Sequence, residues 1–169
     1  MVVEQGVELR NMEEQVEELQ RQNEVYSLSC RHRQTKVAFS AALADSGRIG
    51  PYNYDHTLKY QKVLTNIGSA YSTATGIFTA PVKGVYYFRF TAMDACHSET
   101  MGVALFKNNQ QIKFNGGYNN EESQEYLTNG VTLLLGQGNE VYMLLLSGMG
   151  LYDSSANHCT FTDFLLFTM

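Results

Sequence analysis

The 169-residue chain has no long hydrophobic stretch and no concentration of basic residues. Its longest apolar runs, such as residues 143–146, are strand-sized, whereas a membrane-spanning helix needs roughly 18 apolar residues. Lys and Arg total 12 against 17 Asp and Glu, for a net charge of −5. We therefore expect neither membrane insertion nor a nucleic-acid partner, since binding to a phosphate backbone requires clustered positive charge.

Motifs of catalysis and metal binding are also missing. No histidine lies in a His-Glu-x-x-His pattern or beside a Cys-x-x-Cys pair, so a zinc site has no support. Two adjacent Cys and His pairs lack any nucleophile elbow or oxyanion motif, and no glycine-rich loop opens a helix. We predict that the protein is not an enzyme, with no catalytic residue and no cofactor.

A heptad pattern occupies the first 29 residues. The residues spaced alternately by three and four are Leu9, Met12, Val16, Leu19, Asn23 and Tyr26. The residues between them are mainly Glu, Gln and Arg, which favour helix, and an Asn in the seam specifies register at a cost in stability. Residues 1–29 are predicted to be a coiled-coil oligomerisation helix, and 30–36 a linker. The alternative is an amphipathic helix packed on its own globular domain.

Residues 37–169 consist of short β-rich runs separated by turn signals, which is typical of a β-sandwich or jelly roll. Asn108-Asn109 fits a two-residue hairpin, because Asn tolerates positive φ, and 136–139 reads as another turn. The strands at 141–146 and 160–169 are apolar on both faces. One face of each sheet should be wet, so we expect identical subunits to cover these outward residues: Tyr142, Leu144, Leu146, Phe164 and Leu166.

One set of spaced residues resembles the signature of the complement C1q globular-head family. The matching positions are Tyr60, Asn66, Tyr71, Phe78, Gly84, Tyr86, Phe88 and Phe90, where only Tyr60 departs, replacing a Phe. The ending 161–166 is similar to the family's Phe-x-Gly-Phe-Leu-Leu, with Asp163 in place of Gly. The resemblance covers residues 37–169. A polar Asp163 there is expected to need a bulge or a hydrogen-bonded carboxylate.

The resemblance implies a ten-stranded jelly roll, shared with tumour necrosis factor, that assembles as a homotrimer, with a heterotrimer as the alternative. It also implies a secreted protein, closest in layout to C1q-like proteins of fish and to cerebellin-like proteins. The leading interpretation is innate-immune pattern recognition of an extracellular glycan or microbial surface. The alternatives are a cerebellin-like ligand for a receptor ectodomain and a structural module that only trimerises its stalk.

Calcium is a weak expectation from the same resemblance. Family members that bind Ca²⁺ use acidic residues in the loop corresponding to 115–125, where Glu121, Glu122 and Glu125 remain but the first expected acid falls on Gly117. Since Ca²⁺ takes six or more oxygen ligands, the loss of one carboxylate argues against a tight site. The other interpretation is a solvated acidic loop.

The three cysteines bear on the compartment. The family's strand arrangement implies a Cys96–Cys159 disulfide, with two buried thiols as the alternative, and leaves Cys30 as an interchain thiol that could link trimers into higher order. Disulfides require an oxidising compartment. We therefore expect an extracellular protein. The chain shows no signal peptide, so we expect that segment to lie outside this sequence; the alternative is a protein retained in the cell.

We expect the ligand-binding residues to lie in the loops at one end of the jelly roll. These loops are rich in Tyr and Asn, which are common in adaptable binding loops; the candidates are Tyr118, Asn119, Asn120, Tyr152, Asp153 and Asn157. Three heads on one stalk would add weak contacts through effective concentration. The alternative is that these loops are only polar connections.

Overall fold

The computed structural model describes residues 2–33, 35–44, 47–95, 99–119 and 124–169. The chain divides into two compact units, Met1–Gln34 and Thr35–Met169. The first unit is one α-helix, α1, from Val2 to Arg33. The helix therefore continues four residues into the expected linker, since the stretch after Tyr26 contains no Gly or Pro to end it even though the heptad pattern stops.

The second unit is built from β-strands. In chain order they are β1 (Ala38–Ala42), β2 (Gly47–Ile49), β3 (His56–Thr57), β4 (Lys62–Ile67), β5 (Tyr71–Ser72), β6 (Ile77–Thr79), β7 (Gly84–Asp94), β8 (Glu99–Lys107), β9 (Gln110–Asn119), β10 (Glu125–Leu135), β11 (Glu140–Leu145), β12 (Leu151–Asp153) and β13 (Thr160–Thr168). Ten of these strands form two antiparallel paths of five. The first sheet has the order β10-β7-β13-β1-β4, and the second sheet has the order β5-β6-β11-β8-β9.

Three short strands complete the sandwich. β3 pairs with the end of β11 in the second sheet, and β2 pairs with β12 as a separate two-stranded ribbon. Non-consecutive strands lie side by side in both sheets, as a jelly roll requires. The predicted all-β jelly-roll class with a leading helix is confirmed.

The core lies between the two sheets and is mainly aromatic. β7 alternates along its length, so that Tyr86, Phe88 and Phe90 are fully buried while the residues between them are more exposed. Phe161 from β13 lies among these rings, with its ring centroid 5.0 Å from that of Phe39. This packing accounts for the apolar positions of the sequence signature.

The polar members of that signature hold the connection between β4 and β5. The Asn66 side-chain amide donates to the Tyr71 carbonyl at 2.9 Å. The Tyr71 hydroxyl accepts the Tyr60 backbone N–H at 2.9 Å. Three spaced signature residues therefore satisfy each other's polar groups at the edge of the aromatic core, where an unpaired group would be costly.

Two local predictions have different outcomes. Asn108 and Asn109 have φ values of 46° and 65°, which confirms the predicted two-residue hairpin between β8 and β9. The expected alternation of β13 breaks, because the register shifts between Leu165 and Phe167. This irregularity turns Phe167 outward, so that it is 53% exposed rather than on the inner face with Phe161.

Candidate recognition and assembly surfaces

The helix presents its predicted seam to solvent. Met12, Val16, Leu19 and Tyr26 are each more than half exposed within the chain. Glu18 accepts a hydrogen bond from Gln22 at 2.9 Å and forms an ion pair with Arg21 at 2.9 Å, which supports the helix locally. An exposed apolar stripe at heptad spacing is the surface that a coiled coil buries. The side chain of Leu9 is outside the described set.

The outer face of the first sheet carries an exposed apolar patch, which we call the assembly face. Its members lie toward the end of the sandwich where β7 begins, and they are Ile67, Tyr87, Leu134, Phe164 and Leu166. Phe164 is 41% exposed and Leu166 is 45% exposed. Tyr87 lies against Phe164 at 5.3 Å and across Gly130, where any Cβ would be 2.5 Å from the Tyr87 hydroxyl oxygen. Glycine at 130 therefore keeps this part of the face flat.

The rest of the same face carries hydroxyl groups together with the exposed Arg89. Ser40 and Thr162 are joined by a 3.0 Å hydrogen bond between β1 and β13. Thr91 and Thr128 are joined by a 3.1 Å bond between β7 and β10. The outer face of the first sheet is thus divided into an apolar half and a polar half.

The outward residues Tyr142 and Leu144 of β11, and Leu146 directly after it, are largely covered by their own chain. Tyr142 stacks on Phe106 at 5.8 Å and donates its hydroxyl to Asn109 Oδ1 at 2.8 Å. Leu144 pairs with Thr57 of β3 on one side and Ala104 of β8 on the other. Tyr142, Leu144 and Leu146 are all half-buried. Of the five residues that were expected to be covered by another subunit, only Phe164 and Leu166 are exposed in the single chain.

Asp163 points inward between the sheets. It is only 1% exposed, directly opposite Phe39 on one side and Phe88 on the other. Neither carboxyl oxygen has a hydrogen-bond partner among the described residues. Burial raises the pKa of Asp163 to about 8, and the nearby Phe164 amide offsets part of that effect. The expected hydrogen-bonded carboxylate is therefore wrong, and the bulge in β13 lies two residues further on.

The strand ends that flank the predicted ligand loops lie at the opposite end of the sandwich, which we call the apex. In the backbone register, Asp94 lies opposite Glu125 where β7 ends and β10 begins. Glu99 lies opposite Asn119 where β8 begins and β9 ends. Gly150 bridges to Met101 just before β12. The strand ends on either side of these loops therefore lie at one end of the sandwich. Asn120 lies outside the described residues.

Asp153 is a structural anchor of the apex rather than a ligand-binding residue. Its side chain is fully buried. Its Oδ1 accepts the backbone N–H groups of Ser154, His158 and Cys159 at 2.9, 2.7 and 3.4 Å. Burial raises the pKa of Asp153, while these amides offset part of the shift. The prediction that Asp153 contacts a ligand is therefore wrong. The buried Asp153 side chain instead accepts hydrogen bonds from the backbone of its own loop and holds that loop in place.

The other apex candidates differ in exposure. Tyr118 is 60% exposed, but it lies on strand β9 rather than in a loop. Tyr152 and Asn157 are half-buried, and Asn157 has a φ of 58°. The strand residue Asn119 is described only by its backbone.

One apex contact was missed by sequence reasoning. The Tyr126 hydroxyl and His158 Nδ1 are 2.6 Å apart, joining β10 to the loop before β13. These residues are 32 positions apart and belong to no motif. Only the folded chain shows that they meet.

Cys159 is a free thiol in the core. Its Sγ accepts the Met93 N–H at 3.3 Å and donates to the Tyr152 carbonyl at 3.3 Å. Burial raises the pKa of the thiol to about 12. The predicted disulfide to Cys96 is therefore not formed in the structure, because the sulfur is engaged with neighbouring backbone. Cys96 itself, and the side chain of Cys30, lie outside what the structure describes.

The calcium expectation falls mostly on undescribed positions. Glu121 and Glu122 are outside the described residues. Glu125 is half-buried at the start of β10, with its Oε1 3.8 Å from a Cβ built on Gly117. Within the described ranges, no group of three or more His, Cys, Asp or Glu side chains is arranged to hold a metal ion.

Known proteins that are similar to this chain support the fold. Residues 38–166 match the C1q domain family. Caprin-2 of Danio rerio is 31% identical over 134 residues, which are 79% of this chain and 14% of that protein. The chain thus spans about one seventh of the length of this relative.

In the helix that the structure describes, no segment is long and apolar enough to span a membrane.

Solved structures show the same sandwich. The globular domain of zebrafish complement 1qA protein superposes with a TM-score of 0.64 at 21% identity, covering 79% of this chain and 100% of that one. Eiger TNF from S. frugiperda gives a TM-score of 0.63 at 11% identity, with coverages of 80% and 96%. Murine APRIL gives 0.62 at 10%, with coverages of 78% and 99%. With its jelly-roll topology, its filled aromatic signature and the match over residues 38–166, the chain belongs to the C1q domain family.

Proposed function

We propose that this chain is a secreted, trimeric recognition protein that binds microbial surface glycans in innate immunity. It acts by multivalent binding rather than by catalysis. Three sandwich domains associate through the assembly face, and the α1 helices associate through their apolar seam. Each trimer then offers three copies of every recognition surface. The homotrimer is the assembly that the C1q family resemblance implies.

The observation that carries the proposal is the assembly face. Phe164, Leu166 and Leu134 expose 41%, 45% and 52% of their surface in a single chain. Burying a Phe or Leu side chain contributes about 1.5–3 kcal/mol, so a face with several such residues favours association. Contiguous exposed apolar residues of this kind mark interaction sites.

The helix supports the same conclusion independently. Its seam is exposed in Met12, Val16 and Leu19, at 53%, 52% and 64%. A helix with few heptads is marginal alone, and the assembly face adds a second contact in the same molecule. Two modest interfaces that close together raise each other's effective concentration. The proposed trimer thus depends on both units of the chain.

The assembly step is tested with one charged substitution and a matched control. Phe164→Asp places a carboxylate in the assembly face, whereas Ser72→Asp adds the same charge on the exposed edge strand β5. We expect wild-type protein and Ser72→Asp to have the mass of a trimer by light scattering at micromolar concentration. Phe164→Asp should weaken association at least about tenfold. A wild-type chain that is folded and monomeric would refute the trimer.

The recognition step is tested by binding to bacterial polysaccharides and whole cells, with and without a chelator. Binding that is strong for the trimer and weak for Phe164→Asp supports multivalent glycan recognition. Saturable binding to a receptor ectodomain, with no glycan binding, would instead indicate a cerebellin-like ligand. Loss of binding with chelator would revive the calcium site around Glu125.

A further inference from the structure

A cluster of three rings lies on the surface beside the second sheet. We call it the aromatic corner, and it consists of Tyr52, Tyr54 and His56. The Tyr52 and Tyr54 rings are stacked with centroids 5.4 Å apart and planes 19° apart. His56 lies 5.0 Å from Tyr52 and 6.1 Å from Tyr54, with its plane inclined 67° to that of Tyr54. Tyr54 remains 55% exposed.

The backbone around the aromatic corner is fixed by the turn after β11. The Ser147 N–H donates to Asp55 Oδ1 at 2.9 Å. The Gly148 N–H donates to the Tyr52 carbonyl at 2.8 Å. β3 pairs His56 with Leu145, which is fully buried. The rings are therefore held in place before any ligand arrives, and this lowers the entropic cost of binding.

The ring geometry discriminates between ligand classes. A cation cage needs rings that stand apart around a central space, but Tyr52 and Tyr54 are parallel and in contact. A parallel stack instead offers the outer face of its exposed end ring. The electron-rich face of a ring attracts the partly positive edge of a C–H bond. The C–H face of a pyranose sugar presents several such bonds in one plane.

We propose that the aromatic corner binds one neutral hexopyranose residue of a glycan, with the sugar stacked on Tyr54. Asp55 is exposed and held by Ser147, so its carboxylate is placed to accept sugar hydroxyl groups. This carboxylate lies next to Tyr54 in the sequence. Acidic sugars are therefore disfavoured at the site.

The placement of the corner suits the proposed trimer. β3 belongs to the second sheet, whereas the assembly face lies on the outer side of the first sheet. A sugar can therefore reach Tyr54 while the assembly face is covered. The inference rests on the proposed glycan recognition and moves its sugar contact from the apex loops to this corner. One weak site per chain gains strength by multivalency.

The test uses the full chain and simple sugars. Saturation-transfer NMR with methyl β-galactoside and methyl α-mannoside should detect binding, with galacturonic acid and choline as the acidic and cationic comparisons. Tyr54→Ala should weaken binding of the neutral sugar at least about tenfold, and Tyr54→Phe should keep it because the ring remains. Asp55→Asn, which can still accept the Ser147 N–H, should let galacturonic acid bind more nearly as well as the neutral sugars.

Tyr118→Ala tests the apex loops as the competing sugar contact. Tyr126→Ala is the matched control, since Tyr126 is another exposed tyrosine, at 48%, on β10. It should leave sugar binding unchanged. If Tyr118→Ala abolishes polysaccharide binding and Tyr54→Ala does not, recognition stands and the corner is refuted. If choline binds in place of sugars, the ligand class is wrong. If wild-type trimer binds no polysaccharide at all, the proposed function fails together with the inference.

Discussion

Strands β11 and β13 have similar apolar sequences, yet they meet different surroundings. On β11, Val141, Met143 and Leu145 are fully buried, and the outward Tyr142 is covered by Phe106 of its own chain. On β13, the outward Phe164 is 41% exposed, while its neighbour Asp163 is buried without a hydrogen-bond partner among the described residues. An apolar residue on the outer side of a strand thus indicates a subunit interface only where the chain itself supplies no cover.

The largest effect should come from the inner side of β11. Leu145→Ala removes a fully buried side chain and should cost about 2–5 kcal/mol of unfolding free energy. Leu166→Ala on β13 should change single-chain stability by less than about 0.5 kcal/mol. Both changes are compared by urea unfolding in the Phe164→Asp background, at a protein concentration where light scattering shows a monomer. Equal costs at the two positions would mean that Leu166 is packed within the chain.

The next effect tests the buried carboxyl of β13. Its folded pKa is about 8 against 3.8 in the unfolded chain, so the unfolded chain loses its proton first as pH rises. Stability therefore falls by up to about 1.4 kcal/mol per unit between these pKa values. Asp163→Asn should remove this slope, raising stability by a few kcal/mol at pH 8 and little at pH 4.

The measurement is thermal unfolding from pH 4 to 9 at one protein concentration, because association shifts the midpoint. Ser72→Asn is the control, because it introduces the same amide side chain at an exposed position of β5 and removes no carboxyl, and it should leave the slope unchanged. An unchanged slope in Asp163→Asn would show that the carboxyl finds a partner in solution.

A smaller effect tests whether the Phe114 ring lies over the backbone of β9 in the second sheet. A Cβ on Gly116 would lie 2.4 Å from Phe114 Cζ and 2.9 Å from the Met101 carbonyl oxygen, so Gly116→Ala should cost about 1–3 kcal/mol. At Gly117 the nearest atom would be Glu125 Oε1 at 3.8 Å, and Gly117→Ala should be tolerated. Urea unfolding of the two variants decides, and similar costs would argue against Phe114 lying on the sheet.

The smallest effect concerns the hydroxyl of Tyr142. Tyr142→Phe keeps the ring stacked on Phe106 and loses the 2.8 Å bond to Asn109, which should cost about 0.5–1 kcal/mol. Tyr118→Phe, at an exposed tyrosine, serves as the control and should have no effect. A Tyr142→Phe cost of several kcal/mol would mean that this contact organises the whole β8–β9 hairpin.

The fold follows from local rules where those rules act alone. Asn108 and Asn109 specify a turn because few other residues accept positive φ, and the alternation in β7 selects Tyr86 and Phe88 for the core. Phe167 escaped prediction because the shift of pairing near the end of β13 depends on the neighbouring strand. The sequence of one strand does not encode such a shift.

The surfaces were less predictable than the fold. Tyr142 and Phe164 look equivalent in sequence, but only the structure shows that Phe106 covers the first. Asp153 looks like a loop ligand, yet its bonds to the backbone of its own loop place it inside. The aromatic corner was not identified, since Tyr52, Tyr54 and His56 form a common loop composition until their rings are seen in contact.

The ring of Phe114 has a consequence for how this domain can change over evolution. Gly102 and Gly116 face each other across β8 and β9, and a Cβ on either would meet Phe114 at 3.0 Å or less. Substitutions at these three positions are therefore expected to be coupled. In related chains we expect smaller residues at the positions of Phe114 and Met149 wherever Gly102 has gained a side chain, because a Cβ there would also lie 2.6 Å from Met149 Sδ.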